Sequence, residues 1–385
     1  MTREIYLDNS ATTRPYREVL EEMTDALTRY YGNPSSLHRK GLEAEERVDR
    51  VREEIARTLG ARSSEVIFTS GGTEANNLAI LGAARRYRQR GNHIITSSIE
   101  HACVLDAMKH LEGEGFRITY LPVDETGRVR VEDVEKALSD ETILVSIMYV
   151  NNETGAIQPI KKIGTLLSSR PKTIFHTDAV QAYGKIPIRV KDDKIDMLTV
   201  SAHKLHGPKG TGALYVREGI ELIPLVFGGG QEKGLRSGTE NVPGIAGFGA
   251  AVKTVFPFLE TNRSKMEALR NRLAESLQTT IQDVHINTSV DHAAPHIVNV
   301  SFPGVKGEVL VHALEMEGVF VSTGSACSSR EKIYSHVLKA MGLSQQRLEG
   351  AIRLSLSSDT TEQDIEHTVS ALARIVGDLR LLTRR

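Results

Sequence analysis

Short apolar runs and longer amphipathic stretches alternate along the chain from about residue 60 to residue 220. Runs of about four to eight apolar residues are typical of buried strands, and the stretches between them repeat their apolar positions with the period of a helix. Strands that alternate with helices predict an α/β fold, with a mainly parallel sheet and helices on both of its faces. The predicted strands are 65–69, 93–97, 116–121, 143–150, 173–176, 197–201 and 211–216, and the first two predicted helices are 72–90 and 101–112.

The pattern changes in the last third of the chain. A turn-rich loop at 228–243 leads into a helical tract of roughly 242–280, which is interrupted near Pro257. Beyond it, short strands and helices are mixed without the earlier alternation, which predicts a smaller α+β domain with its boundary near residue 260. The strands predicted there are 296–302, 319–322 and 351–356, and the helices are 306–316, 332–341 and 361–381.

Composition and charge narrow the classes of function. The 385 residues include 48 Lys and Arg against 49 Asp and Glu, so no overall basic field favours nucleic acid or an anionic membrane. The N-terminus lacks the apolar segment of a secretory signal, and no apolar run approaches the roughly 18 residues needed to cross a bilayer. Two cysteines give no disulfide framework. We therefore expect a cytoplasmic protein without a nucleic-acid or membrane partner.

A lysine follows the predicted strand 197–201, in the segment Ser201-Ala-His-Lys204. In a parallel sheet this position lies at the carboxyl edge, where ligands bind. Taken alone, Lys204 would usually be a solvated loop residue. Its neighbours favour another interpretation, because a neutral lysine amine can form a Schiff base with a carbonyl cofactor, and Ser201 and His203 are donors that could reach a phosphate.

Asp178 lies just after the predicted strand 173–176. A carboxylate beside the ring nitrogen of pyridoxal phosphate keeps that nitrogen protonated, and only then does the ring work as an electron sink. Gln181, three residues further on, could donate to the phenolic oxygen of the same ring. The alternative is a helix-capping aspartate next to an unrelated glutamine.

The turn Thr69-Ser-Gly-Gly-Thr73 joins a predicted strand to a predicted helix. Glycines followed by a hydroxyl residue at a helix N-terminus form an anion site, so Gly72 and Thr73 are candidate phosphate ligands. A tight turn with an N-cap is the alternative. The turn lacks the spacing of a Walker loop and of a dinucleotide fingerprint.

His101 follows the predicted strand 93–97. It could stack on a planar cofactor and carry protons near neutral pH, although a lone histidine is more often structural. Cys103 lies two residues further on, and we interpret it as a small buried hydrophobe. The pair lacks the ligand number and spacing of a zinc site, so we expect no metal.

Cys327 lies among glycine, serine and alanine, with polar residues after it. Such a composition predicts a mobile surface loop. An accessible thiol is what a sulfur carrier needs, provided that the thiol has thiolate character. An exposed cysteine without a role is the alternative.

Together these segments resemble the cysteine desulfurases of the NifS/IscS type, within the aspartate-aminotransferase fold of pyridoxal-phosphate enzymes. The resemblance runs nearly end to end, with matching blocks at 6–13, 32–38, 69–77, 150–155, 176–181, 201–204, 207–210, 236–241, 324–327 and 352–355. It implies a mainly parallel seven-stranded sheet flanked by helices in a large cofactor-binding domain, 14–260. It also implies a small α+β domain, formed by 1–13 and 261–385, that carries the cysteine loop.

The resemblance implies a role for each candidate residue, with pyridoxal 5'-phosphate as the cofactor. Lys204 would hold the cofactor as a Schiff base and move the substrate proton, and Cys327 would take up the sulfur as a persulfide. The other implied cofactor ligands are Gly72, Thr73, His101 as the stacking acid–base residue, Asn152, Asp178, Gln181, Ser201, His203 and, from the neighbouring subunit of a homodimer, Thr239. Asn152 and Arg353 would clamp the substrate carboxylate, with Asn33 nearby.

The implied reaction converts L-cysteine to L-alanine. The sulfur would pass to an acceptor protein of iron–sulfur cluster assembly or of tRNA or cofactor thiolation. The tract after Cys327 matches the longer-loop group of desulfurases, although Cys327-Ser-Ser replaces a frequent Cys-Thr-Ser. Three alternatives stay open: a selenocysteine lyase or cysteine-sulfinate desulfinase, an ordinary aminotransferase, and a non-catalytic sulfur-relay scaffold.

Overall fold

A seven-stranded sheet organises the first two thirds of the chain in the computed structural model, which describes residues 4–323 and 334–383. The strands of the described chain are β1 (Ile5–Tyr6), β2 (Val66–Thr69), β3 (His93–Ser97), β4 (Arg117–Leu121), β5 (Thr142–Ser146), β6 (Ile174–Asp178), β7 (Met197–Ser201), β8 (Gly212–Val216), β9 (His285–Ile286), β10 (Ile297–Ser301), β11 (Val319–Phe320) and β12 (Ala351–Ser355). The α-helices are α1 (Arg17–Thr28), α2 (Arg39–Leu59), α3 (Gly72–Tyr87), α4 (Ala102–Gly113), α5 (Val131–Ala137), α6 (Ile160–Leu167), α7 (Val242–Val255), α8 (Leu259–Thr280), α9 (Gly307–Met316), α10 (His336–Ala340), α11 (Gln345–Glu349) and α12 (Glu362–Thr383).

The large sheet has the strand order β2-β8-β7-β6-β5-β3-β4. Neighbouring strands from β7 through β4 pair in parallel, whereas β8 runs antiparallel to both of its neighbours. This confirms the predicted α/β class with a mainly parallel seven-stranded sheet, and β8 corresponds to the strand predicted at 211–216. Because parallel strands end on one edge of the sheet, the segments that follow β3, β6 and β7 meet there.

Two predicted elements end at least three residues earlier in the structure than in the prediction. The strand predicted at 143–150 is β5 and ends at Ser146, and two residues later the backbone N–H of Met148 donates to the carboxylate of Glu100 (2.9 Å) rather than to a neighbouring strand. The helix predicted at 72–90 is α3, which ends at Tyr87 and gives way to a 3-10 turn. In both places a tertiary contact or a local turn overrides the apolar pattern.

A second hydrophobic core forms around the three-stranded antiparallel sheet β12-β10-β9. Leu7, which follows β1, packs in this core with Val300 of β10 and Leu354 of β12. Helices α8, α9 and α12 contribute the buried side chains Leu277, Leu310 and Leu372. The N-terminal residues therefore join the last third of the chain, as expected for the predicted small domain. Its bounds, 1–13 and 261–385, stay a prediction.

The helical tract Val242–Thr280 was predicted, but its apolar character was not. By length and composition it is apolar enough to cross a membrane, but 61% of its most apolar window is buried inside the protein. It consists of α7 and α8, joined by the 3-10 turn Phe256–Phe258, and α7 packs against α1 and α2. Such burial is typical of a core helix.

Candidate active site

A cavity of about 390 Å³ lies where the carboxyl ends of β6 and β7 face the strand β12. It brings together ten of the predicted site residues: Gly72, Thr73, His101, Asn152, Asp178, Gln181, Ser201, His203, Lys204 and Arg353. Its lining also includes Asp8, Ser10, Asn76 and Cys103, to which the sequence analysis gave no role in the site. Segments that are distant in sequence thus form one cavity at the edge of the sheet, which is the usual place for a ligand in such a fold.

Lys204 extends from a 3-10 turn, Ala202–Lys204, directly after β7. Its amine donates hydrogen bonds to the backbone carbonyl of Ser10 and to that of Ala11 (2.8 Å). Burial, and after it the positive charge of Arg353, lower the pKa of Lys204 to about 8. A substantial fraction of this amine is therefore neutral near physiological pH, as a nucleophilic lysine requires.

Asp178 ends β6 with its carboxylate held in a fixed orientation. One oxygen accepts from the backbone N–H of Val180 (2.9 Å), and the other accepts from the side-chain amide of Asn76 (2.7 Å). Gln181 donates to the carbonyl of Ser10 (2.9 Å). These internal hydrogen bonds fix the orientation of the Asp178 carboxylate and of the Gln181 amide at the cavity.

The N-terminus of α3 supplies the anion-binding end of the cavity. The N-cap residue Gly71 has φ 152°, and no side chain caps the helix. The hydroxyl of Ser201 is buried and has no hydrogen-bond partner in the parts of the chain that the structure describes. Burial lowers the pKa of His203 to about 4, so this cavity-lining ring is neutral. Free helix N–H groups and an unpartnered hydroxyl are suited to a phosphate.

The residues present fit pyridoxal phosphate. The cavity offers a partly neutral amine for the aldehyde, an oriented carboxylate for the ring nitrogen, and unfilled donors for the phosphate. The buried Ser201 hydroxyl is the most specific sign, because a buried hydroxyl without a partner costs free energy unless a ligand satisfies it.

His101 caps the N-terminus of α4, and its ring lies next to the thiol of Cys103. Its Nδ1 accepts from the backbone N–H of Cys103 (3.3 Å) and is 3.0 Å from the Cys103 Sγ. Asn76, which binds Asp178, also donates to that sulfur (3.3 Å). Burial and the charge of Asp178 raise the pKa of Cys103 to about 12, so the group is a thiol. The prediction that Cys103 is merely a buried hydrophobe overlooked these contacts.

Arg353 reaches the cavity from the middle of β12. Its guanidinium donates to the carboxylate of Asp8 (2.7 Å) and to the backbone carbonyl of Asn152 (2.9 Å). The side chain is 4% exposed, and its Nε has no partner among the described residues. The guanidinium therefore faces the cavity with its charge already matched by an internal carboxylate.

Three predicted site residues do not line this cavity. Thr239 is exposed and lines a separate pocket together with Ser70 and Arg236. Asn33 is exposed in a turn, where its side chain accepts from the backbone N–H of Ser35 (2.9 Å). Cys327 lies outside the described residues.

The sequence analysis missed two buried acids that support the cavity. The side chain of Glu100 accepts from the hydroxyl of Ser97 (2.6 Å) and from the backbone of Met148, and burial raises its pKa to about 8. Glu153 accepts from the hydroxyl of Ser335, and burial raises its pKa to about 7. Glu153 lies in the block 150–155 of the family resemblance, and Glu100 lies shortly after the predicted strand 93–97. No local sequence pattern, however, distinguishes a buried acid from an exposed one.

Comparisons with known proteins agree with this arrangement. The family model Aminotransferase class-V matches residues 5–368. The chain is 46% identical over 382 residues to a cysteine desulfurase IscS of Clostridium botulinum, which covers 99% of this chain and 96% of the relative. It is 47% identical over 373 residues to a putative cysteine desulfurase IscS 1 of Bacillus subtilis, covering 97% and 98%. A solved NifS-like protein superimposes with a TM-score of 0.92 and 40% identity, covering 98% of this chain and 100% of that one.

Proposed function

This chain belongs to the class-V aminotransferase family and is a pyridoxal-phosphate-dependent cysteine desulfurase, and we propose that two walls of its cavity share the reaction. The sheet wall comprises Gly72, Thr73, His101, Asp178, Gln181, Ser201, His203 and Lys204, and the strand wall comprises Asp8, Asn152 and Arg353. The observation that carries the proposal is that one cavity contains both the Lys204 amine and the Arg353 guanidinium. An amino acid can be held at its carboxylate while its α-carbon is presented to the cofactor.

The sheet wall would hold the cofactor. Pyridoxal phosphate, when bound, supplies an aldehyde that takes up an amino group and a protonated ring that accepts electrons. We assign the aldehyde to Lys204, the ring nitrogen to Asp178 and the phenolic oxygen to Gln181. The N-terminus of α3, with Gly72 and Thr73, would bind the phosphate together with Ser201 and His203, and His101 would stack on the ring.

The strand wall would orient L-cysteine. Arg353 would bind the α-carboxylate, because a guanidinium matches a carboxylate in shape and charge. Asn152 accepts from Arg353 through its backbone carbonyl, which supports the direction of the guanidinium. Asn33 would lie near the bound amino acid. This positioning leaves the substrate sulfur free to meet a thiol from the protein.

Lys204 would move the substrate proton. The burial that lowers its pKa to about 8 leaves enough neutral amine to accept a proton from the substrate α-carbon near neutral pH. His101, at the mouth of the cavity, would exchange protons with the leaving portion of the substrate. The two bases act from the same wall, so the proton transfers stay close to the cofactor.

Cys327 would take up the sulfur. Its thiol would attack the sulfur of cysteine, the bond between that sulfur and the β-carbon would break, and the carbon would gain a proton. One L-cysteine and one Cys327 thiol thus become one L-alanine and one Cys327 persulfide, and no external oxidant or reductant is consumed. A persulfide can then pass its outer sulfur to a thiol of an acceptor protein.

The proposed assembly is a homodimer that serves a sulfur-acceptor protein in the cytoplasm. Large apolar side chains are exposed on the single chain, among them Leu27 at 62%, Tyr31 at 68% and Phe227 at 78%, as expected of a surface that a second copy covers. Thr239, which does not line the cavity of its own chain, would reach the phosphate in the partner. The acceptor would belong to iron–sulfur cluster assembly or to a thiolation pathway.

A comparison of the two cysteine variants tests the sulfur step. The protein contains two cysteines, so Cys103→Ala is the matched control for Cys327→Ala. After one exposure to L-cysteine without an acceptor, intact-peptide mass spectrometry should find one extra sulfur on the Cys327 peptide of the wild type and of Cys103→Ala. Cys327→Ala should carry none and should form little alanine. Full alanine production by Cys327→Ala would overturn the assignment.

A further inference from the structure

The thiol of Cys103 lies between His101 of the sheet wall and Asn76, which also lines the cavity. The Sγ is 3.0 Å from Nδ1 of His101 and 3.3 Å from the side-chain amide of Asn76. The same amide nitrogen of Asn76 donates to the carboxylate of Asp178 at 2.7 Å. A continuous chain of hydrogen bonds therefore connects His101, through Cys103 and Asn76, to Asp178.

The direction of each hydrogen bond in this chain is determined by the groups at its ends. The Asp178 carboxylate only accepts, so the Asn76 nitrogen must point toward it and can donate its second hydrogen to the sulfur. Nδ1 of His101 already accepts from the backbone N–H of Cys103 at 3.3 Å, so this nitrogen carries no hydrogen in the neutral ring. The Cys103 thiol must then donate to Nδ1, which leaves the ring hydrogen on Nε2.

The surroundings of Cys103 support a thiol rather than a thiolate. Donors from Asn76 and from the hydroxyl of Thr73 favour the ionised sulfur. Burial and the negative charge of Asp178 oppose it, and they prevail, raising the pKa of Cys103 to about 12. The sulfur is thus a hydrogen-bond donor at every pH at which the enzyme would work.

We propose that Cys103 is a positioning residue for His101: its thiol adds a second hydrogen bond to that of its backbone N–H, which strengthens the preference of the ring for the Nε2–H tautomer, and through Asn76 it couples the orientation of the ring to that of Asp178. The inference rests on the proposed role of His101 at the cofactor. It also explains how a cavity can contain a thiol that is not consumed by the reaction, because a neutral thiol is a poor nucleophile.

The tautomer of His101 can be observed without turnover. The full-length holoenzyme is labelled with ¹⁵N-histidine, and long-range ¹H–¹⁵N spectra are recorded for the wild type, Cys103→Ala and Cys103→Ser. His101→Gln identifies the resonances of His101 by their loss. We expect an unprotonated Nδ1 in the wild type and in Cys103→Ser, whose hydroxyl also donates, and a shift toward mixed tautomers in Cys103→Ala. A protonated Nδ1 in the wild type, or identical His101 resonances in all three proteins, would overturn the proposal.

The ionisation of Cys103 gives a second measurement. Cys327→Ala leaves Cys103 as the single cysteine of the chain, so the ultraviolet absorbance of thiolate reports on this group alone. The thiolate should form only well above the pH near 8.5 at which a free cysteine ionises. Ionisation at the ordinary pH would contradict the argument, because a thiolate cannot donate to His101.

Steady-state kinetics then connect the tautomer to function. Loss of one orienting hydrogen bond predicts that Cys103→Ala lowers kcat for alanine formation about fivefold to tenfold, with KM changed less than about twofold. Cys103→Ser should recover most of kcat. A kcat for Cys103→Ala equal to that of the wild type would sink the positioning role. If the wild type itself makes no alanine, the proposed function fails, whereas the two spectroscopic measurements still decide this inference.

Discussion

The two walls of the cavity differ in what their polar groups bind within the protein. On the sheet wall, the Ser201 hydroxyl is buried without a partner among the residues the structure describes, and the first N–H groups of α3 have no side-chain cap. On the strand wall, the Arg353 guanidinium is already paired with Asp8 and with the carbonyl of Asn152. The sheet wall therefore has unsatisfied donors for an added anion, whereas the strand wall already contains the carboxylate of Asp8.

This difference explains how one cavity can bind a cofactor tightly and a substrate reversibly. A phosphate on the sheet wall fills donors that are otherwise unsatisfied, so nothing is lost from the protein when it binds. A substrate carboxylate on the strand wall must share Arg353 with Asp8, so part of the gain is offset by repulsion and rearrangement. The cofactor would therefore remain through many turnovers, whereas the amino acid would enter and leave in each one.

Removal of the amine from the sheet wall should have the largest effect. We expect Lys204→Ala to lower alanine formation about 10⁴-fold or more, because no other residue on this wall offers both a nucleophilic amine and a base. Steady-state assays with L-cysteine measure the loss. Lys209→Ala, an exposed lysine that does not line the cavity, is the matched control and should remain active. Comparable losses in both variants would show that the effect is not specific to the cavity.

Replacement of the guanidinium on the strand wall should affect substrate binding more than chemistry. Arg353→Lys keeps the charge but loses the planar pair of donors, so KM for L-cysteine should rise on the order of 50-fold. Steady-state kinetics separate KM from kcat. Arg272→Lys, which alters an exposed ion pair with Glu362, should leave both parameters unchanged. An unchanged KM in Arg353→Lys would remove this residue from the carboxylate site.

Buried acids behind the cavity should make folding stability depend on pH. Burial raises the pKa of Glu100 from 4.5 to about 8, so its contribution to stability is complete below pH 4.5 and is lost as the pH rises through about 8. Between pH 5 and pH 9 the free energy of unfolding should therefore fall by on the order of 3 kcal/mol more in the wild type than in Glu100→Gln. Urea unfolding at both pH values measures this difference.

The matched control for that measurement is Glu112→Gln, at an exposed position of α4. Its pH dependence should equal that of the wild type. If Glu100→Gln showed the same loss between pH 5 and pH 9 as the wild type, Glu100 would not be protonated in the folded protein.

A smaller effect is expected at Asp8. Asp8→Asn keeps an oxygen that accepts from Arg353 but removes the charge that competes with the substrate carboxylate, so KM for L-cysteine should fall about fivefold. The same assay measures it. A rise in KM would mean that the negative charge of Asp8 orients Arg353 more than it competes, and the contrast between the two walls would lose its explanation.

The same two walls show what a sequence can predict. On the sheet wall, Asp178, Ser201 and Lys204 come at or just after apolar strands, so a local pattern places them at one edge of the sheet. On the strand wall, Arg353 lies within β12 and its partner Asp8 is 345 residues away, so only the family resemblance singled out Arg353 and nothing singled out the pair. Pairing across such a distance depends on tertiary packing, which no local period encodes.

The elements of the fold also differ in whether a local sequence pattern predicts them. The strands of the large sheet could be predicted because each is a short apolar run between turns. The early end of β5 could not, because the Glu100 side chain takes the place of a backbone acceptor there. The membrane-like composition of α7 was missed because glycines interrupt its apolar residues. The apolar stretch looks long only when these glycines are counted as part of the helix.

Lys204, on the sheet wall, is the residue that we propose binds the aldehyde of the cofactor. Borohydride reduction of the purified holoenzyme converts a lysine–cofactor bond into a stable one, and peptide mass mapping then locates it. Lys185 is a suitable rival, because it is 5% exposed and burial lowers its pKa to about 8 as well, yet it does not line the cavity. We predict the added mass on the peptide that contains Lys204. Its appearance on the Lys185 peptide, or on none, would contradict the account.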